Sequence, residues 1–215
     1  MSVVLGIECA ASCCSAAILA DGKILASEKV CLPSGYPEIL VPMVQKVVAA
    51  SGIGYCDIDI MAASAGAGSF TGVRVGLGTV RAMALTAGKK SAGISNFAAS
   101  AFMIPPEERN KYEAILVVLE TRRKDFYVQL FAPDLTPLCE PSASFVNEVS
   151  LPFAKVLLAG DAAQRFKEDS GKDFPVFTDS IPDAETIAFW TAEHQANLPP
   201  AAPLYVSEAH VTVNK

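Results

Sequence analysis

Apolar residues recur along this chain with two periods, and the switches between them mark out its elements. Val3-Val4-Leu5-Gly6-Ile7 is a short β-rich run, Ala16 to Ala20 a second and Lys23 to Val30 a third. Asp21-Gly22 is a strong hairpin turn between the last two. Together they predict a three-stranded meander whose first turn, Ala10 to Ser15, is made of small residues. From Pro37 to Ser51 the period lengthens: Leu40, Met43, Val44, Val47 and Val48 form one continuous helical stripe. Pro37 suits a first helical turn, Pro42 predicts a kink or a later start, and Gly52 and Gly54 end the helix. Ile58 to Ala65 reads as a buried strand, after which a glycine-rich stretch opens a second helix from Val73 to about Thr86. Ser91 to Ile94 predicts another strand, and Ser95 caps a helix running through Phe102.

Pro105-Pro106, followed by Glu107-Glu108-Arg109, marks the best boundary in the chain. It predicts an N-terminal α/β lobe over residues 1–104 and a smaller C-terminal α/β lobe over 107–215. In the second lobe Ala114 to Leu119, Phe126 to Phe131 and Val156 to Ala159 read as strands. Gly160-Asp161 leads into a helix from Ala162 to Glu168, Asp183 caps a last helix through Ala196, and Leu204-Tyr205-Val206 reads as a short terminal strand.

A content of 51% hydrophobic residues with a mean hydropathy of +0.34 excludes long disorder, which needs the opposite balance. The net charge of −6 argues against an unaided grip on nucleic acid, which takes a basic face to displace phosphate counterions. Lys89-Lys90 and Arg122-Arg123-Lys124 are too short to hold RNA without a partner. No Lys or Arg precedes Lys23 and Glu8 interrupts the first apolar run, so no signal peptide is expected. Nor does any run approach a membrane span, and a cytoplasmic location follows as the expectation. None of the six cysteines stands in C-x-x-C spacing, and His194 and His210 lie far from them. Reduced thiols and no metal site are expected.

Gly66 to Gly78 is the stretch with chemical promise. Backbone amides at a helix start attract phosphate, which makes Gly68, Ser69, Thr71 and Gly72 a candidate anion or nucleotide site. A P-loop would need Lys after Gly72, where Val73 stands, and a dinucleotide fingerprint would need glycine at Thr71. Gly76 and Gly78, each about 1 kcal/mol worse than Ala in a helix, suggest instead that another backbone packs closely here. An anion site, a packing element and a loop with neither role all stay open.

The run Gly66-Ala67-Gly68-Ser69-Phe70-Thr71-Gly72-Val73-Arg74-Val75-Gly76-Leu77 resembles the signature G-P-G-S-F-T-G-[LV]-R-[IV]-G-[LA] of the TsaB (YeaZ-like) family. Those proteins are partner subunits in bacterial synthesis of threonylcarbamoyladenosine on tRNA. Gly93-Ile94-Ser95, Arg122-Arg123 before Phe126-Tyr127-Val128, Ala159-Gly160-Asp161 and Pro203-Leu204-Tyr205-Val206 extend the similarity. The chain departs from it at Ile7-Glu8-Cys9, where Ile-Asp-Thr is usual, at Ala67 for proline, at Tyr36-Pro37-Glu38 for His-Ser-Glu, and at Glu120 for Asp.

The resemblance implies an α/β, actin-like ATPase (ribonuclease H-like) fold of two lobes, the second shortened. It implies a scaffolding role without catalytic residues, metal or cofactor. The expected partners are a TsaD-like catalytic subunit, a TsaE-like ATPase in the same complex and, for the chain alone, a second copy; tRNA would be met only through the complex. Pairing in the family uses the first two helices, which makes Leu40, Met43, Val44, Val47, Val48, Arg74, Gly76 and Val80 candidate partner contacts. Two other functions compete. An ATPase or small-molecule kinase of the same fold would need acidic metal ligands in the first turn and a second phosphate loop, for which Gly160-Asp161 is the one candidate. A glycoprotease-like peptidase would need a His-x-x-x-His pair, whereas His194 and His210 are sixteen apart.

Overall fold

The computed structural model describes residues 2–32 and 36–206, with Tyr36 and Pro37 by backbone alone. The meander forms as expected: β1 (Val4–Glu8), β2 (Cys14–Ala20) and β3 (Lys23–Val30) pair antiparallel, Val4 facing Leu19 and Cys14 facing Val30. β3 alternates exposed and half-buried residues, the period-2 signature of an edge strand with one wet face. α1 (Tyr36–Ser51) starts before Pro42 and runs through it. A proline there removes only one intrahelical bond, and the burial of Leu40, Val44, Val47 and Val48 outweighs that loss.

Next, β4 (Ile60–Gly66) lies parallel to β1, α2 (Phe70–Ala87) crosses back, and β5 (Lys90–Ser95) lies parallel to β4. The first sheet thus has the order β3-β2-β1-β4-β5. α1 and α2 cover one face, where Leu5, Ile7, Ile18, Leu40, Val44, Val73, Leu77 and Val80 share one core.

α3 (Asn96–Phe102) and the short α4 (Pro106–Arg109) lead into the second sheet. There β6 (Ala114–Glu120), β7 (Phe126–Phe131), β8 (Ser142–Ser144) and β9 (Val156–Ala159) take the order β8-β7-β6-β9. α5 (Ala163–Ser170) packs on one face through Phe166, edge-on to Phe126 at 5.3 Å. On the other face Phe97 and Ile104 meet Ile115, Val117 and Phe131, joining the two sheets.

Three further expectations meet a different outcome. α6 (Ala184–Glu193) belongs by packing to the first sheet rather than the second: Ile187 and Ala188 lie over its open face. Gly6 makes this possible, since a Cβ there would stand 2.2 Å from the Ala184 carbonyl oxygen. Leu204-Tyr205-Val206 is not a strand; a single backbone bond, from Leu204 N–H to Ala65 O at 2.8 Å, pins it beside β4. Finally, the cysteines are not all reduced: Cys13 and Cys31 form a disulfide, because the β2–β3 register sets them side by side one step beyond Cys14 and Val30. Cys9 and Cys14 are buried free thiols, while Cys56 and Cys139 are exposed ones. None of the described helices is long and apolar enough to cross a membrane.

Candidate functional site

Two concave features stand out, a cleft between the sheets and a groove on the outer helical face. The cleft, of about 430 Å³, is walled on one side by Ala10, Ala11, Ser12 and Ala67 to Phe70, and on the other by Glu120, Thr121, Arg122, Tyr127 and Asp161. Its near wall is two turns locked together. Ser69 N–H donates to Ala10 O at 2.8 Å, and Ser69 Oγ caps α2 by accepting from Gly72 N–H at 3.2 Å. Of the anion-site candidates, Gly68 and Ser69 line the cleft, Thr71 is exposed outside it, and Gly72 is buried beneath the Cys9 carbonyl. Two of the amides an anion would need are thereby engaged internally.

Glu8, the β1 acidic residue, turns inward. Its Oε1 accepts the N–H groups of Ala10 at 2.5 Å and Ala11 at 2.7 Å, while Oε2 meets no donor of good geometry among the described residues. Burial pushes its carboxyl up from the ordinary 4.5 to about 7, against the pull of Ser64 and the two amides, with Asp183 adding to the rise. The folded chain therefore holds a proton that the unfolded chain releases, so stability falls as pH rises from about 4.5 to 7 and levels off above. The loss is about 3 kcal/mol at most. Glu8→Gln is expected to flatten that slope, and urea unfolding of both proteins across this range measures it. Parallel pH profiles would remove the assignment.

Across the cleft, Asp161 Oδ1 accepts the Glu120 N–H at 2.9 Å, tying the β9 turn to the end of β6. Glu120 takes a bidentate bridge from Arg165 at 2.9 and 3.1 Å, and Arg165 also lies 3.8 Å over the Phe126 ring. Arg123 is paired with Asp125 at 2.7 and 2.9 Å, so of the basic run it is Arg122 that reaches the cleft. Asn96, which the motif reading passed over, sits at the cleft floor: its Nδ2 donates to Ala67 O at 3.1 Å and its buried Oδ1 lacks a partner among the described residues. Its position directly after the Ser95 cap was the available signal. His194 stacks on Trp190 at 4.0 Å, and His210 lies outside the described residues.

The second feature is an apolar groove of about 640 Å³ between α1 and α2, walled by Val41, Gln45, Tyr55, Cys56, Ala82, Met83 and Thr86. Val41 is 50% exposed and Tyr55 41%. Gly78 opens into it with nothing within 4 Å of its missing Cβ, and Gly76 meets only side chains at ordinary distances, Ala63 at 3.5 Å. Neither glycine is pressed by another backbone, contrary to the expectation from sequence. The eight candidate partner contacts separate here. Leu40, Met43, Val44, Val47, Val48, Gly76 and Val80 are buried in the first lobe, Val44 at 2% exposure as part of the groove floor. A charge at Val44 would therefore act on folding. Arg74 is exposed but lies elsewhere, 3.6 Å over the Phe70 ring with its Nε donating to the Tyr205 hydroxyl at 3.3 Å. The groove walls stand beside the stripe at helical spacing, with the small residues Gly78, Ala82 and Thr86 four apart.

A family model described as "TsaD: tRNA N6-adenosine threonylcarbamoyltransferase" matches residues 34–184. This chain belongs to that family, as a TsaB/YeaZ-like member. It is 38% identical over 92 residues to "tRNA threonylcarbamoyladenosine biosynthesis protein TsaB" of Escherichia coli (strain K12), covering 43% of this chain and 39% of that protein. It is 34% identical over 112 residues to a "tRNA N6-adenosine threonylcarbamoyltransferase" of Erythrobacter litoralis (strain HTCC2594), covering 45% and 33%. The matched part is thus less than half the length of either relative. Among solved structures, one described as an uncharacterized protein with similarity to peptidase YeaZ, from Pseudomonas aeruginosa, superposes with a TM-score of 0.82 at 21% identity. That superposition covers 96% of this chain and 100% of the other. With the sheet order β3-β2-β1-β4-β5, it establishes the actin-like fold of the TsaB/YeaZ-like proteins.

Proposed function

We propose that this TsaB/YeaZ-like chain is a scaffolding subunit in the transfer of a threonylcarbamoyl group to the adenosine next to the anticodon of tRNA. In this reading it binds a TsaD-like catalytic subunit through the α1–α2 groove. The observation that carries it is the groove itself: an apolar, concave helical face open to solvent, with a glycine where a partner helix would come nearest. Exposed apolar surface of this kind marks interaction sites, and a helix laid in a groove is a recurrent mode of pairing. The family match, which joins TsaB-named and transferase-named relatives to one sequence, supports this choice of partner. Two related chains can pair by equivalent helices with near-twofold symmetry, and the same face would join two copies when the partner is absent.

A non-catalytic role is supported by the cleft. Glu8 is committed to its own turn, and the Ser69 and Gly72 amides that would hold a phosphate are engaged internally. The −6 net charge fits tRNA contact through the partner only, and a TsaE-like ATPase would join the assembled pair. Reconstitution tests the reading: tRNA, threonylcarbamoyl-adenylate and the TsaD-like and TsaE-like subunits are combined with and without this chain. Modified adenosine is expected only with it, and equal product in its absence would overturn the role.

One observation favours a second occupant for the cleft. The buried Asn96 Oδ1, without a partner among the described residues, could accept from an amino or hydroxyl group of a nucleotide-sized ligand beside Gly68 and Ser69. Calorimetric titration with ATP, with Asn96→Leu as the comparison, separates that ligand from an empty cleft.

A further inference from the structure

Four of the six cysteines meet at one end of the meander, and the strand register sorts them into two pairs. Glu8 faces Ser15 across β1 and β2, so Cys9 and Cys14 are opposite one step further on; their Sγ atoms are 2.7 Å apart and both are buried. Cys14 faces Val30 across β2 and β3, so Cys13 and Cys31 are opposite one step on, and these are bridged. Neighbouring residues of a strand point to opposite faces. The inner pair consequently lies in the core shared with Leu40 and Val44 of α1, while the bridge is on the outside, Cys13 half-buried and Cys31 exposed. This bridge connects two segments that matter to the rest of the molecule. Cys13 directly follows Ala10, Ala11 and Ser12 of the cleft wall, and Cys31 closes β3 on the way to α1.

We propose that Cys13 and Cys31 form a reversible thiol-modification site whose co-reactant is a low-molecular-weight thiol/disulfide couple, and whose opening loosens the seat of α1. The reaction balances without any group beyond that couple. A thiolate attacks the accessible Cys31 Sγ, breaks the Sγ–Sγ bond and leaves a mixed disulfide on Cys31 with a thiolate on Cys13. A second thiolate attacks the small-molecule sulfur of that mixed disulfide, releasing Cys31 as thiolate and the couple's disulfide. Two electrons pass from the couple to the bridge, and both cysteines take up protons from water. Access selects this pair over the inner one, since exchange needs an approach to a sulfur that Cys9 and Cys14 do not offer. Their contact and burial push the Cys9 thiol up, which further quiets it. The effect on α1 follows from what the bridge holds: α1 packs against β2 and β3, the two strands it ties together.

The inference concerns this chain alone and does not rest on the pairing proposed above. The full chain is equilibrated in glutathione mixtures from fully reduced to fully oxidised, trapped by alkylation and read by peptide mass spectrometry. Cys13 and Cys31 are expected to interconvert together, with Cys9 and Cys14 labelled only after denaturation. Cys13→Ser is expected to accumulate a glutathione adduct on Cys31. Hydrogen exchange then reads the consequence. Peptides over the β1–β2 turn and the start of α1 should exchange about tenfold faster in the reduced chain, and equally fast in a Cys13→Ser, Cys31→Ser double variant under either condition. Peptides of β6 to β9 should be unchanged. A bridge that stays closed in every mixture, or never forms, overturns the proposal. So does exchange that rises everywhere or nowhere on reduction.

Discussion

Gly72→Ala is expected to destabilise the chain by about 4 kcal/mol, lowering its Tm by roughly 10 °C. In an ordinary helix the same change is worth about 1 kcal/mol in the other direction. The sign reverses because a Cβ at Gly72 would stand 1.8 Å from the Cys9 carbonyl oxygen and 2.7 Å from its carbon. Those are backbone atoms, so no side chain can rotate away and either the first turn of α2 or the β1–β2 turn must move. Moving α2 strains the Ser69 N–H to Ala10 O bond and the Ser69 cap on Gly72 itself. Denaturant unfolding at fixed pH measures the effect. A variant as stable as the parent would mean that the two turns are not locked together and that the cleft's near wall is adjustable.

That contact also explains how far the sequence could be read. Within one element, periodicity carried the information: the Leu40, Val44, Val47 and Val48 stripe is buried as its spacing requires. The second helix, by contrast, starts at Phe70 rather than at the Val73 expected from sequence, because Ser69 caps it. What crosses between elements was not legible. Nothing in Ala184 to Glu193 says that its apolar face returns to β1 rather than packing on the second sheet; the clue sits 178 positions earlier, in the missing side chain of Gly6. Ser142 to Ser144 pairs with β7 despite a polar sequence, because an edge strand needs backbone bonds more than apolar side chains. The bridge between Cys13 and Cys31 depends on a register that spacing alone does not reveal. At the groove the limitation is one of kind. A hydrophobic stripe identifies the side of a helix that is buried within its own chain, whereas the proposed pairing uses the positions beside it. Val41, Gly78, Ala82 and Met83 are those positions, and only Gly78 stood out in the sequence, as a packing glycine rather than as part of a groove.

Gly78, the third glycine of α2, therefore carries the opposite expectation. Gly78→Leu should leave the isolated chain folded and more stable by about 1 kcal/mol, since leucine is the better helix former and a Cβ there meets nothing within 4 Å. Yet it should weaken association with a TsaD-like subunit at least a hundredfold, about 2.7 kcal/mol, by filling the space between Val41, Ala82 and Met83 that a partner helix would occupy. Stability and pairing thus move in opposite directions, which no general loss of folding can imitate. Leu85, 85% exposed on the same helix but outside the groove lining, supplies the comparison: Leu85→Glu should be milder in pairing and neutral in folding. Titration calorimetry of each purified variant against the catalytic subunit, with unfolding curves alongside, reads both quantities. Undiminished pairing by Gly78→Leu would move the interface away from this groove, because a leucine at its centre leaves no room for a helix to approach.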